Sequence, residues 1–167
     1  MTERLQVVDE NDNPIGIATR EEAWTKGLIL RHSYIVLRDS DGNFLLQQRS
    51  LKKKSQPGKW TWAATGHVDE GETYETAAAR ELQEEIGVTT PLTFVGKLRS
   101  THPSEHGVVN LFISVFTGII THNTPLIVDP EEVQDTRWLT PTELSALMSD
   151  QGQVTYNTYL TYQKFFS

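Results

Sequence analysis

The sequence predicts an α/β sandwich in which a mixed β-sheet lies between helices. Strand signals and helix signals are mixed along the whole chain. An alanine-rich helix with a cap residue at each end sits near its middle. The tail carries enough aromatic surface to cover a sheet. The 167 residues fit one domain with a real core, and a single domain over 1–167 is expected.

The elements follow in order. Leu5 to Asp9 and Ile15 to Thr19 flank the turn-rich Glu-Asn-Asp-Asn-Pro and predict an N-terminal hairpin. Arg20 to Lys26, closed by Gly27, predicts a short helix with a glycine C-cap. Ser33 to Arg38 and Phe44 to Arg49 are strand-like and joined through Asp-Ser-Asp-Gly-Asn, a second hairpin signal. Leu51 to Lys59 is a basic loop, and Trp60 to Thr65 is expected to be a strand.

A helix is expected from Thr73 as N-cap to Gly87 past its C-terminus, because Ala77, Ala78, Ala79 and Leu82 favour helix. Helical spacing puts Ala79, Leu82 and Ile86 on a face to be packed, and Glu81, Glu84 and Glu85 on a face left wet. Phe94 to Thr101 and Val109 to Ile119 read as long strands around a loop, His102 to Gly107, and Arg137 to Leu139 as a short one. Thr140-Pro141-Thr142-Glu143 has capping-box spacing with proline at the first helical position, so a helix covers Glu143 to Met148. Val154 to Phe166 predicts a helix packed on the sheet by its aromatic residues, a dimer contact being the other reading.

Composition narrows the function. Hydrophobic residues make up 37% of the chain and mean hydropathy is -0.42, as for a soluble globular protein. No apolar run is long enough to span a bilayer. The segment Met1 to Asp12 is polar and lacks a secretory apolar core, so a cytoplasmic location is the expectation. With no cysteine, zinc-thiolate sites and thiol nucleophiles are excluded. The net charge of -7 argues against general nucleic-acid binding but not against an anionic substrate, because a bound cation reverses the local field.

The chemistry is concentrated in residues 66 to 88. Glu81, Glu84 and Glu85 stand three and four apart, where a helix makes side chains neighbours. Carboxylates packed together repel unless a cation sits among them. Hard oxygen ligands point to Mg²⁺ or Mn²⁺. A diphosphate needs such help, since its oxygens are already negative. Divalent cations neutralise that charge, polarise phosphorus and acidify water. A solvated acidic helix face is the bland alternative, and the fixed residues around the glutamates argue against it.

Those residues resemble the signature of the Nudix hydrolases. Gly66, Glu72, Arg80, Glu81, Leu82, Glu84, Glu85, Gly87 and Val88 fill every fixed position of that box. Seven exact residues would coincide by chance about once in 10⁸ placements. The resemblance implies the Nudix fold and an enzyme acting on a small-molecule diphosphate. It implies metal held by Glu81, Glu84, Glu85 and the Gly66 carbonyl, with Glu72 and Arg80 tying loop to helix. The general base would be Glu84 or Glu85, or Glu105 from the His102–Gly107 loop, with Glu131 and Glu132 as further candidates. Arg49 and Lys59, at the ends of a loop that also holds Lys52, Lys53 and Lys54, are candidates for phosphate binding. Trp60 and Trp62 could stack on a base or pack in the core, core packing being expected for at least one. A monomer or a homodimer is expected.

Residues 5 to 90 also resemble the isopentenyl-diphosphate-isomerase-like subgroup, through Val-Val-Asp-Glu-Asn-Asp-Asn-Pro-Ile-Gly, Leu-Arg-His-Ser-Tyr and Gln-Gln-Arg-Ser through Pro-Gly-Lys-Trp-Thr. The isomerase needs a cysteine just before its Gly-His pair, and Thr65 stands there. Two of its ligand histidines correspond to His32 and His67, and a third to Trp24. Three functions therefore stand: a metal-dependent diphosphate hydrolase, an isomerase disfavoured by Thr65, and a nucleotide-sensing module disfavoured by the complete glutamate set.

Overall fold

The computed structural model describes residues 2–167. In chain order the elements are β1 (Leu5–Val8), β2 (Pro14–Ala18), α1 (Arg20–Lys26), β3 (Ile29–Arg38), β4 (Phe44–Arg49), β5 (Trp60–Trp62), β6 (Ala64–His67), α2 (Tyr74–Ile86), β7 (Thr93–Ser104), β8 (Gly107–Ile119), β9 (Val133–Leu139), α3 (Pro141–Ser149) and α4 (Tyr156–Phe165). All nine strands belong to one mixed sheet built around β3. One edge of β3 pairs in parallel with β8, from Leu30↔Leu111 to Arg38↔Ile119. Its other edge is shared in turn by β1, β6 and β4, all antiparallel.

Strand alternation sends side chains to two cores. Ile35, Leu37 and Leu45 meet Ala78, Leu82 and Ile86 of α2. Tyr34, Val36, Phe44, Leu46, Trp60 and Trp62 face the opposite way, where Leu144 and Met148 of α3 and the aromatic side chains of α4 close over them. The sheet thus lies between helices, as expected. Both Trp60 and Trp62 are core residues, and Trp62 Nε1 donates to Thr161 Oγ1 at 2.8 Å. The tail is a helix packed on the sheet.

Four expectations need correction. Trp60 to Thr65 is not one strand: it breaks at Ala63, so that β5 pairs with β4 while β6 crosses to β3. His102 to Gly107 is mostly strand, because the turn needs only Glu105 and His106, and Ser104 already pairs with Gly107. Ala79 is exposed, and Ala77 and Ala78 take its place in the packed face. Glu85, assigned to the wet face, is buried.

Candidate active site

The site begins with α2. Thr73 caps its N-terminus and accepts from Thr76 N, while Gly87, at φ 69°, closes the C-terminus in the left-handed region. At about 100° per residue, Glu85 lies about 40° from Glu81, between Glu81 and the packed side chains of Ala78 and Leu82. It therefore lies on the seam of the helix rather than on its free face. Glu84 projects from the other side of Glu81 and stays 59% exposed.

Each carboxylate is held differently. Glu81 is pressed against Gly66, where an added Cβ would lie 2.0 Å from its carboxyl carbon. Glycine is needed at residue 66 to make that room. Arg80 reaches four groups at once. Its Nε and Nη2 bond Glu72 at 2.7 and 2.8 Å, Nη2 also bonds the His67 carbonyl at 3.0 Å, and Nη1 bonds Glu81 at 2.7 Å and Glu84 at 3.3 Å. Glu72 in turn accepts from Asp69 N. The Glu72–Arg80 pair ties the loop between β6 and α2 to the helix by a two-pronged bond.

Glu85 is gripped from the sheet. Gln47 Nε2 donates to its Oε2 at 2.7 Å, and Thr65 N to its Oε1 at 2.9 Å. Gln47 reaches it because residues 45 and 47 of β4 point to the α2 side. Burial pushes the Glu85 carboxyl up to about 8 and the Glu81 carboxyl up to about 7, although Gln47 and Thr65 pull the first back and Arg80 the second. Glu72 lies below its usual value, chiefly through Arg80.

On the opposite face of the sheet, His32 and His67 are cross-strand partners with Nε2···Nδ1 at 3.3 Å. Burial holds both neutral. His32 falls to about 3, helped by the positive charges of Arg20, Arg49 and Lys53, and His67 is likewise well lowered. The Arg49 guanidinium is half-buried without a carboxylate partner, its Nε and Nη2 held by the Ser55 carbonyl. Desolvation lowers its pKa.

A cavity of about 880 Å³ joins these groups. Gly66, Glu81, Glu84 and Glu85 line it, and so do Arg49, Lys59 and Glu105. The residues put forward first for metal, phosphate and base roles thus border one space. Of the further base candidates, Glu132 lines the cavity but pairs with Lys53, and Glu131 pairs with Lys52 at the surface.

A NUDIX domain profile matches residues 30–159. The chain belongs to the Nudix family. An uncharacterised Nudix hydrolase of Pseudomonas aeruginosa is 36% identical over 140 residues, covering 83% of this chain and 79% of that protein. A protein named isopentenyl-diphosphate Delta-isomerase in Streptomyces avermitilis is 39% identical over 145 residues, covering 84% and 73%. The crystal structure of DR0079 from Deinococcus radiodurans superposes with a TM-score of 0.83 at 25% identity, covering 99% of this chain and all of that one. The chain is a Nudix hydrolase with isomerase-named relatives.

Nudix hydrolases generally use divalent metals, and the residues present fit one. The donors are oxygens, which suits Mg²⁺ or Mn²⁺. Two of the carboxyls are raised by burial, so a cation beside them would relieve a real cost. Among the described residues no three His, Cys, Asp or Glu side chains already converge as a cage. Glu81, Glu84 and Glu85 instead fan out to Gly66, solvent and Gln47. Mg²⁺ commonly takes one or two carboxylates and completes its shell with water and substrate phosphate, which such a fan can supply.

Sequence reasoning missed Gln47, His102 and Tyr156, which hold or line the Nudix site from β4, the β7–β8 hairpin and α4, and it met Trp24 of α1 only as the residue standing in place of an isomerase histidine. Gln47 left a trace, being a glutamine inside the buried run Phe44 to Gln47. The others meet only through the fold.

Proposed function

We propose that this Nudix hydrolase cleaves a diphosphate bond in a nucleoside diphosphate derivative or a related organic diphosphate, with Mg²⁺ (or Mn²⁺) as cofactor. One observation carries the reading: the box carboxylates and the half-buried Arg49 guanidinium, which has no carboxylate partner, border the same cavity. The cation would be held by Glu81, Glu84, Glu85 and the Gly66 carbonyl, and when bound it neutralises phosphate charge and acidifies water. Arg49 and Lys59 would bind phosphate oxygens. Arg80 and Glu72 keep the loop after β6 against the helix, and Gln47 and Thr65 N hold Glu85 in one orientation. Removal of a proton from the attacking water falls to Glu84 or Glu85, or to Glu105 from the hairpin tip. Residues 1–167 are taken to act as one domain, which the single sheet from β1 to β9 supports.

The isomerase-named relatives raise a second reading, isomerisation of isopentenyl diphosphate. Thr65 argues against it: no thiol stands beside Gly66-His67, and the Thr65 amide is spent on Glu85. A panel of nucleoside diphosphate sugars, ADP-ribose, dinucleotides, nucleoside triphosphates and isopentenyl diphosphate, assayed with Mg²⁺, with Mn²⁺ and with chelator, tests both. Metal-dependent release of nucleotide or phosphate is expected. Isomerised product without hydrolysis, or tight nucleotide binding without turnover, would overturn the proposal.

A further inference from the structure

Five buried side-chain nitrogen or oxygen atoms among the described residues lack a hydrogen-bond partner: Arg20 Nε, Trp24 Nε1, His32 Nδ1, His102 Nε2 and Ser114 Oγ. The first four belong to residues lining the active-site cavity. Buried polar atoms are nearly always partnered. Their concentration around one space marks a place where partners arrive with a ligand.

Two of these atoms sit on elements that carry no metal or phosphate residue, and their chemistry can be read. Trp24 Nε1 on α1 can only donate. His102 on the β7–β8 hairpin has Nδ1 3.2 Å from the Pro103 carbonyl, which can only accept. Nδ1 therefore carries the hydrogen, and in that tautomer Nε2 is an acceptor. Two residues of the cavity wall thus carry a buried donor and a buried acceptor without partners, each beside an aromatic ring. His106 lies parallel to Trp24, with centroids 5.9 Å apart and planes 9° apart, and Tyr156 lies 4.4 Å from His102.

An isoprenyl chain has neither donor nor acceptor, and a diphosphate only acceptors. The pairing edge of a nucleobase has both, and its faces suit aromatic walls. We infer that Trp24 and His102 form the subsite that reads the base of a nucleoside diphosphate substrate, with His106 and Tyr156 as its flanking rings. This deepens the proposed function and rests on it for the placement of the diphosphate. Trp24 Nε1 and His102 Nε2 are both out of reach of solvent in this conformation, so the hairpin that carries His102 and His106 yields as the base enters. The tip is seated on α1 by close packing: a Cβ on Gly107 would lie 2.3 Å from the Trp24 carbonyl oxygen, and Asn110 Nδ2 donates to the Gly27 carbonyl at 3.1 Å.

The test is calorimetric titration, in Mg²⁺, of α,β-methylene nucleoside diphosphates against methylenediphosphonate, which lacks the nucleoside. The wild type is expected to bind at least one nucleoside analogue roughly tenfold or more tightly than methylenediphosphonate. Trp24→Phe and His102→Phe keep a ring and remove the donor or the acceptor. Each should erase most of that gap while leaving methylenediphosphonate affinity within about twofold. No gap in the wild type, or a gap that survives in the variants, overturns the inference. Thermal melts identify a variant that fails to fold, and the other then decides. A parallel turnover assay separates the two readings: a base-dependent gap without metal-dependent hydrolysis removes the hydrolase reading alone, and hydrolysis without a gap removes the base subsite alone.

Discussion

Gln47 Nε2 lies 2.7 Å from Glu85 Oε2, and the same nitrogen donates to the Ala63 carbonyl at 3.0 Å. A glutamine only 1% exposed thus spends its amide on holding one buried carboxylate. Both Glu85 oxygens accept, one from Gln47 and one from Thr65 N, so the arrangement suits the ionised form. Gln47→Leu keeps the volume and removes the donor. It should raise the Glu85 carboxyl further and destabilise the protein by about 1.5–3 kcal/mol where Glu85 is ionised, with less effect where it is protonated. Urea unfolding at pH 6 and pH 9 checks this, and an equal loss at both values would contradict it.

The raised carboxyls also give metal-free stability a pH dependence. A carboxyl whose folded pKa exceeds its unfolded value binds protons more tightly when folded, so stability falls as pH rises towards the folded pKa. For Glu81, at about 7, and Glu85, at about 8, the fall continues to about pH 8. His32 and His67 act in the opposite direction, since their lowered values make stability rise with pH up to their ordinary value near 6.5. The two effects compete below pH 6.5 and separate above it. In chelator, the melting temperature should drop by several degrees between pH 7 and pH 9, and saturating Mg²⁺ should restore more at pH 9 than at pH 7. Glu85→Gln should flatten most of the chelator curve.

Glu84 and Glu85 make different predictions although both are box glutamates. Glu84 is 59% exposed and its one bond, to Arg80, is long, so Glu84→Gln should leave the melting temperature nearly unchanged. Glu85 is 5% exposed, so Glu85→Gln alters a buried network as well as the site. Both should lower kcat by about 10²–10⁴-fold if either supplies base or metal ligation. Steady-state kinetics with a diphosphate substrate decides, and near-wild-type kcat in both variants would place the chemistry elsewhere.

What the sequence revealed follows from how local each feature is. The α2 helix, its caps at Thr73 and Gly87, and the Thr140–Glu143 box are set by neighbours within four residues, and they stand where spacing put them. Glu72 and Arg80 were legible because one loop joins them. Ala79 and Glu85 were misplaced because a helical wheel gives directions but not where the sheet ends. Glu85 sits on the boundary, and Gln47, 38 residues earlier, draws it inward. The break at Ala63 answers to two partner strands, β4 and β3, which no local signal names. The wall of Trp24, His102 and Tyr156 joins residues more than 50 apart, so only the fold assembles it.

Gly66→Ala tests how closely the loop must approach the helix. The new methyl would lie 2.0 Å from the Glu81 carboxyl carbon and 2.1 Å from Oε1, so Glu81 must leave its place against the strand. Glu81 is held there by Arg80, and the β6 backbone is fixed by its pairing with β3, so neither side yields freely. The variant should lose about 1–3 kcal/mol of stability through overpacking. It should also bind Mn²⁺ more weakly, since one carboxylate has been pushed aside. Unfolding and metal titration measure the two separately.

Arg80→Lys keeps the charge but not the fork. Arg80 bonds Glu72 through two nitrogens, and also meets the His67 carbonyl, Glu81 and Glu84. A lysine ammonium cannot span Glu72 and Glu81 in that planar arrangement. Losing the two-pronged bond frees the loop between β6 and α2, and leaves Glu72, which Arg80 holds below its usual value, to rise. The expected outcome is a stability loss of about 1.5–3 kcal/mol at pH 7 that shrinks as pH falls and Glu72 protonates. The sign follows because a lowered folded pKa contributes stability above the unfolded value and loses it on acidification. Activity should fall with stability, because Arg80 also holds Glu81, a proposed metal ligand, in place. Unfolding free energies at pH 7 and pH 4, set beside kcat, test this; a variant with wild-type stability and activity would mean that charge alone, and not the fork, holds the loop to the helix.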